Sequence, residues 1–166
     1  VEETLSHSKL FFGIFENPPK LSIAVLLEWH KLLFERTNPD ISGQFRDYLV
    51  RVGNYVAPDW QDVEKLMRDF IKWYEQRINV MHPVELAARV HYRFEKIHPF
   101  GDGNGRIGRL IIMAILRKNG FPILVIEYSK RKSYYHALSK SEDDFLLYFV
   151  RRYISIHKAY LKTTSI

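Results

Sequence analysis

The 166-residue chain has no cysteine. Disulfides, thiolate-bound zinc and thiol nucleophiles are therefore excluded, and either redox compartment is open to it. It also lacks a long hydrophobic run. The longest, Leu110 to Leu116, lies between Arg109 and Arg117, far short of the ~20 apolar residues that cross a bilayer, so no membrane role is expected. Glycine and proline are sparse, 8 and 7 residues, and no repeat or low-complexity stretch breaks the chain. No His-x-x-x-His pair suggests a helical zinc site, and no Ser-His-Asp order suggests a hydrolase triad.

What is present describes a globular domain. Hydrophobic residues make up 46% of the chain, enough to build a core. The formal charge is +6, which suits a mildly basic face or an anionic ligand. The basic clusters Arg117-Lys118, Lys130-Arg131-Lys132 and Arg151-Arg152 are short and sit among acidic or apolar neighbours. Nucleic-acid binding is the alternative from another class, and it is not expected: no helix-turn-helix spacing is convincing, and the aromatics follow helical periods without interleaving with the basic residues. The first residue is Val1 rather than methionine, which reads as a fragment or a processed form. A soluble chain is expected, with the cytoplasm favoured.

Periodicity predicts a mostly helical domain. Residues 1–20 show no clear pattern and end at the breaker Asn17-Pro18-Pro19; they read as a lead-in segment to a domain over 21–162. Leu21–Arg36 carries Val25, Leu26, Trp29, Leu32 and Leu33 at helical spacing. Alternation around Tyr48, Val50 and Val52, with Gly53-Asn54, predicts a short hairpin or flap. Asp59 is a candidate N-cap for a helix reaching Ile78, and Pro83 suits the first turn of the next. A helix over Asn104–Asn119 should close at Gly120. An extended piece over Ile123–Ile126 and two helices, Lys132–Ser139 and Glu142–Leu161, complete an all-α fold with one β-hairpin. His30, His91 and His157 read as helix-face residues, and the tryptophans as core.

Chemistry concentrates in His98-Pro99-Phe100-Gly101-Asp102-Gly103-Asn104-Gly105-Arg106-Ile107-Gly108-Arg109. A glycine-rich loop leading into an apolar helix presents unpaired N–H groups and a favourable dipole to an anion. Gly101, Gly103 and Gly105 allow positive φ and close backbone approach, Asn104 offers side-chain donors, and Arg106 and Arg109, at i and i+3, can clamp successive phosphates. Asp102 is a lone carboxylate beside cations, which suits Mg²⁺ shared with phosphate oxygens. His98 can serve as a general base. Two arginines at a helix start oppose the dipole, so packing alone explains the stretch poorly. Together these parts fit phosphoryl or nucleotidyl transfer.

The stretch resembles the signature of the Fic family, H-x-F-x-[DE]-G-N-G-R-x-x-R, with all eight fixed positions filled. The resemblance extends to Gly43-Gln44-Phe45-Arg46, His82-Pro83-Val84-Glu85, His91-Tyr92-Arg93-Phe94 and Tyr134-Tyr135-His136-Ala137-Leu138, roughly residues 21–155. It implies an enzyme that moves AMP from ATP, with Mg²⁺, to a Ser, Thr or Tyr hydroxyl of a protein. His98 would then deprotonate the hydroxyl and Asp102 would hold Mg²⁺. Gly103, Asn104 and Gly105 would fix the α-phosphate, Arg106 and Arg109 the distal phosphates. Tyr134 and Tyr135 would lie near the adenine, Phe100 would anchor the loop, and the 43–57 flap would pair with a target segment. Homodimers occur in the family. Its relatives also include enzymes that remove AMP or transfer UMP, phosphate or phosphocholine, and these remain the alternative at this site.

Two departures stand out. Ser141-Glu142-Asp143-Asp144 replaces a segment in which many members carry an Asn near the nucleoside, which leaves base preference open. Glu16-Asn17 matches the end of the family's inhibitory motif [ST]-x-x-x-E-[GN], but Phe12 stands where Ser or Thr is required, and the match reads as coincidental.

Overall fold

Several helices begin where the sequence supplies a cap. In the computed structural model, which describes residues 1–126 and 130–163, the Ser22 hydroxyl accepts from the Val25 N–H at 3.2 Å and starts α2, Ile23–Phe34. Asp59 caps a short 3-10 turn, Trp60–Asp62, that leads into α3, Val63–Arg77. His82 caps α4, Pro83–Ile97, with proline in the first turn. Gly103 opens α5, Asn104–Lys118. Helix α6 is Arg131–Leu138. Ser141 then accepts from the Asp144 N–H and starts α7, Glu142–Thr163.

Two strands, β1 Arg51–Val52 and β2 Tyr55–Val56, pair antiparallel around Gly53-Asn54. The fold is therefore all-α with one hairpin, as the periodicity implies. Residues 121–126 form no strand. The Gly120 turn (φ 74°) instead returns the Phe121 N–H to the Leu116 carbonyl at 2.9 Å, satisfying an end carbonyl of α5.

The sequence shows no period over residues 1–20, yet Glu2–Glu16 forms a helix, α1. Its burial is confined to Leu10 and Ile14, too few positions to leave a readable stripe. Helix α1 lies against α2 and α5.

Helix α5 is the axis of the core. Every residue from Leu110 to Leu116 is buried, so this helix is apolar on all sides, as a central helix must be. Helices α4 and α1 flank it, and α3 and α7 pack on α4. The polar loop 98–103 joins two core helices, α4 and α5. No helix among the described residues is long and apolar enough to cross a membrane.

Candidate active site

Proline sets the geometry at the start of the loop. Pro99 stops α4, and His98 closes it in the left-handed region (φ 50°, ψ 60°), alone among described non-glycine residues. That conformation costs about 1–2 kcal/mol. Arg46 compensates from across the fold. Its guanidinium donates to the carbonyls of His98 (2.8 Å), Tyr48 (2.9 Å), Pro58 (2.7 Å) and Ile97 (3.5 Å). One buried cation thus ties both legs of the flap to the backbone of His98.

His30 performs a similar task for the next segment. The Gly43 N–H donates to His30 Nδ1 at 3.1 Å, which leaves Nε2 to donate to the Asp102 carbonyl at 3.1 Å. The ring also stacks on Phe100, centroids 4.0 Å apart. Burial lowers its pKa and keeps it neutral, consistent with one donating and one accepting nitrogen. Neither Arg46 nor His30 was assigned a role by the sequence. For His30 the available signal was a titratable residue at helical spacing from Leu26, Leu33 and Phe34; Arg46, between Phe45 and Asp47, offered none.

Of the three loop glycines, Gly103 has the positive φ, 77°. A Cβ there would also sit 2.6 Å from the Phe34 ring, so backbone and space both require glycine. The Asn104 and Gly105 amides precede the first backbone bonds of α5, from Arg106 and Ile107 to the Gly103 carbonyl, and can cradle an anion.

Asn104 departs from expectation. Its side chain is buried; Nδ2 donates to the Phe100 carbonyl at 2.8 Å and Oδ1 accepts the Phe100 N–H at 2.9 Å. The amide therefore braces the loop. Phe100, fully buried, anchors the loop as the resemblance implies.

Arg106 and Arg109 rise from the first turn of α5. Arg106 stacks on Phe34 at 4.7 Å and reaches Asp102 at 3.4 Å and Glu3 of α1. Arg109 is exposed and has no carboxylate within ion-pair distance among the described residues. His7, one turn beyond Glu3, has its pKa lowered by burial and by the charges of Arg109 and Arg106. Glu3 and His7 thus bring α1 over the cradle, a contact the sequence did not foreshadow. An incoming anion competes with Glu3 for Arg106.

Across the loop, a pocket of about 390 Å³ lies between flap and helices, lined by His98, Glu95, Val52, Tyr55, Tyr135 and Leu138 among others. Burial lowers the His98 pKa, while a hydrogen bond to the Glu95 main chain opposes the shift. The base is therefore largely neutral near pH 7. Tyr55 fixes the hairpin to α4 by donating to the Lys96 carbonyl at 2.6 Å. Tyr135 is 57% exposed and faces this pocket, whereas Tyr134 is buried with its hydroxyl on His91 Nε2 at 2.6 Å. Only one tyrosine of the expected pair is thus placed to meet a ligand; the other packs the core. Glu142 is held by Arg89 and Arg93 on the outer side of α4.

Asp102 is exposed at the loop's edge, and no cluster of three or more His, Asp or Glu able to hold a metal occurs among the described residues. One hard carboxylate beside a phosphate cradle still fits Mg²⁺, which commonly takes one or two carboxylates and completes its shell with phosphate oxygens.

Comparison with known proteins agrees with this geometry. The model of the Fic/DOC family matches residues 20–116. The chain is 36% identical over 133 residues to protein adenylyltransferase Fic of Drosophila erecta, covering 80% of this chain and 27% of that protein. It is 34% identical over 139 residues to the protein of that name in Nematostella vectensis, covering 83% and 33%. The solved structure of Fic-1 from C. elegans superposes with a TM-score of 0.78 at 26% identity, covering 99% of this chain and 52% of that one. The chain spans about a quarter to a third of the length of these curated relatives.

Proposed function

Because this chain belongs to the Fic/DOC family, we propose that it transfers AMP from ATP to a hydroxyl side chain of a protein. The observation that carries this reading is the joining of a neutral, half-strained His98 to an amide-lined anion cradle in one rigid loop.

The steps follow from the residues. The first amides of α5 take the α-phosphate, where the helix dipole favours negative charge. Arg106 and Arg109 take the distal phosphates, Arg106 leaving Glu3 to do so. The nucleoside extends into the pocket beside Tyr135 and Leu138. The target lies along the flap, whose exposed Val52 and Val56 offer apolar contacts beside free strand edges. His98 takes the hydroxyl proton on Nε2, because Nδ1 is the nitrogen turned toward Glu95. The hydroxyl oxygen then bonds to the α-phosphorus, the bond to the β-phosphate oxygen breaks, and pyrophosphate departs. Positioning and charge neutralisation do most of the work in such transfers. Asp102 would hold Mg²⁺, which when bound neutralises phosphate charge.

Labelled ATP incubated with the protein and a cell lysate tests the reading. We expect labelled protein bands, lost with His98→Ala. Equal labelling by the parent and His98→Ala would overturn it. A product mass other than AMP would redirect it to another group at the same site.

A further inference from the structure

The mechanism above leaves the Glu95 carboxyl unused. Glu95 stands on the last turn of α4, three residues before His98. Its side chain is 10% exposed. Oε1 is shielded from solvent and has no hydrogen-bond partner. Oε2 lies 3.9 Å from His98 Nδ1. Buried carboxylate oxygens are seldom left unpaired, because the lost hydration is not replaced.

The neighbours explain why nothing else satisfies it. On α4, His91 Nε2 is 4.0 Å from Glu95 Oε1, but that ring is committed. Its Nδ1 is 2.9 Å from the Gly108 carbonyl and must carry the proton, so Nε2 accepts from Tyr134. His91 has no donor left. On α6, the Tyr134 hydroxyl is spent on the same bond. On α5, Arg109 is exposed and acts on Glu95 only through its field. The space is also built for the carboxylate: a Cβ on Gly108 would lie 2.5 Å from Oε1. The remaining group that can meet the Glu95 carboxyl is His98, which hydrogen-bonds the Glu95 main chain and is itself faced by Arg46 and Asp102.

Resting on the AMP-transfer reading, we propose that Glu95 is the positioning residue of His98: its carboxylate meets the imidazolium formed when His98 accepts the target's proton. In the resting state the ring is neutral and the carboxyl is held off at 3.9 Å. When Nε2 gains the proton, Nδ1–H becomes a stronger donor, and a small turn of the carboxyl about its last torsion lets it share that donor with the Glu95 main chain. The interaction is then stronger in the transition state than in the ground state, as catalysis requires. Burial raises the Glu95 pKa to about 7, so the carboxyl ionises readily when a positive ring forms beside it. Any proton it carries leaves to solvent; no bond to Glu95 forms.

Two readouts on intact protein test this. The first needs no turnover: NMR titration of the His98 ring. Interacting groups titrate as a pair, so the parent should show two steps and Glu95→Gln one step at lower pH. Superimposable curves overturn the proposal even if the protein moves a group other than AMP. The second is steady-state transfer. Glu95→Gln should lower kcat on the order of tenfold or more, shift the acid limb of the kcat profile to lower pH and leave KM for ATP unchanged, while Glu95→Asp restores part of kcat. An unshifted limb, or a rise in KM matching the loss of kcat, overturns it. Should Glu95→Gln fail to fold, Glu95→Asp carries the NMR arm, its two steps lying closer together than in the parent.

Discussion

The solvent side of the 98–109 loop and its core side hold polar groups by different rules. On the solvent side Arg106 shares itself among Asp102, Glu3 and the Phe34 face, and Arg109 stands without a carboxylate partner among the described residues. These bonds are exchangeable, each worth little in water, and that suits groups that must release one anion to take another. On the core side Asn104, His30 and His91 each have fixed partners at 2.6–3.1 Å. They give up no bond when a ligand arrives. On the AMP-transfer reading, the loop has fixed bonds where it places His98 and exchangeable ones where it meets phosphate.

The largest way to break this contrast is Asn104→Ala. It leaves the buried N–H and carbonyl of Phe100 without partners, costing about 4 kcal/mol. The melting temperature should fall by roughly 10 °C, and calorimetry checks it. A drop of only a degree or two would mean that water reaches the core side after all.

The pH dependence of two adjacent residues sharpens the contrast next. The folded His91 ring refuses a proton until pH about 4, whereas the unfolded ring accepts one near 6.5. Its contribution is therefore full above 6.5 and lost as pH falls towards 4. Folded Glu95 holds its proton up to about 7, so its contribution has the opposite sign: present below about 4.5 and lost as pH rises towards 7. The two slopes offset in the parent. Relative to it, Glu95→Gln should lose about 2 kcal/mol between pH 7 and 5, and His91→Gln should gain a similar amount. Urea unfolding at both pH values measures it.

The smallest effect belongs to the solvent side. Glu3→Gln frees Arg106 and should change stability by less than about 1 kcal/mol. It should lower KM for ATP a few-fold, the effect shrinking as salt rises. A large loss of stability would place α1 among the buried determinants.

Much of this was legible in the chain. The apolar period of α2 to α5, the cap at Asp59, the first-turn Pro83 and the turn at Gly53-Asn54 act over a few residues, so the sequence shows them directly. So does the loop motif, whose residues are neighbours. Helix α1 was not legible, because two buried side chains leave no stripe. The separate duties of Tyr134 and Tyr135 were not legible either: adjacent residues on a helix point in different directions, and only the position of His91 decides which is buried.

The sequence by itself determined an all-α domain and the chemical content of one loop, since helix propensity, capping and motif spacing are local. Tertiary structure decided how each polar group is employed. Glu3 meets Arg106 across 103 positions, His30 meets Asp102 across 72, and Arg46 meets His98 across 52. Asn104 braces the loop through Phe100, which is buried within its reach. Whether a carboxylate, amide or imidazole faces water, a phosphate or a carbonyl depends on which distant elements pack against it, and packing sets the desolvation that makes one partner win.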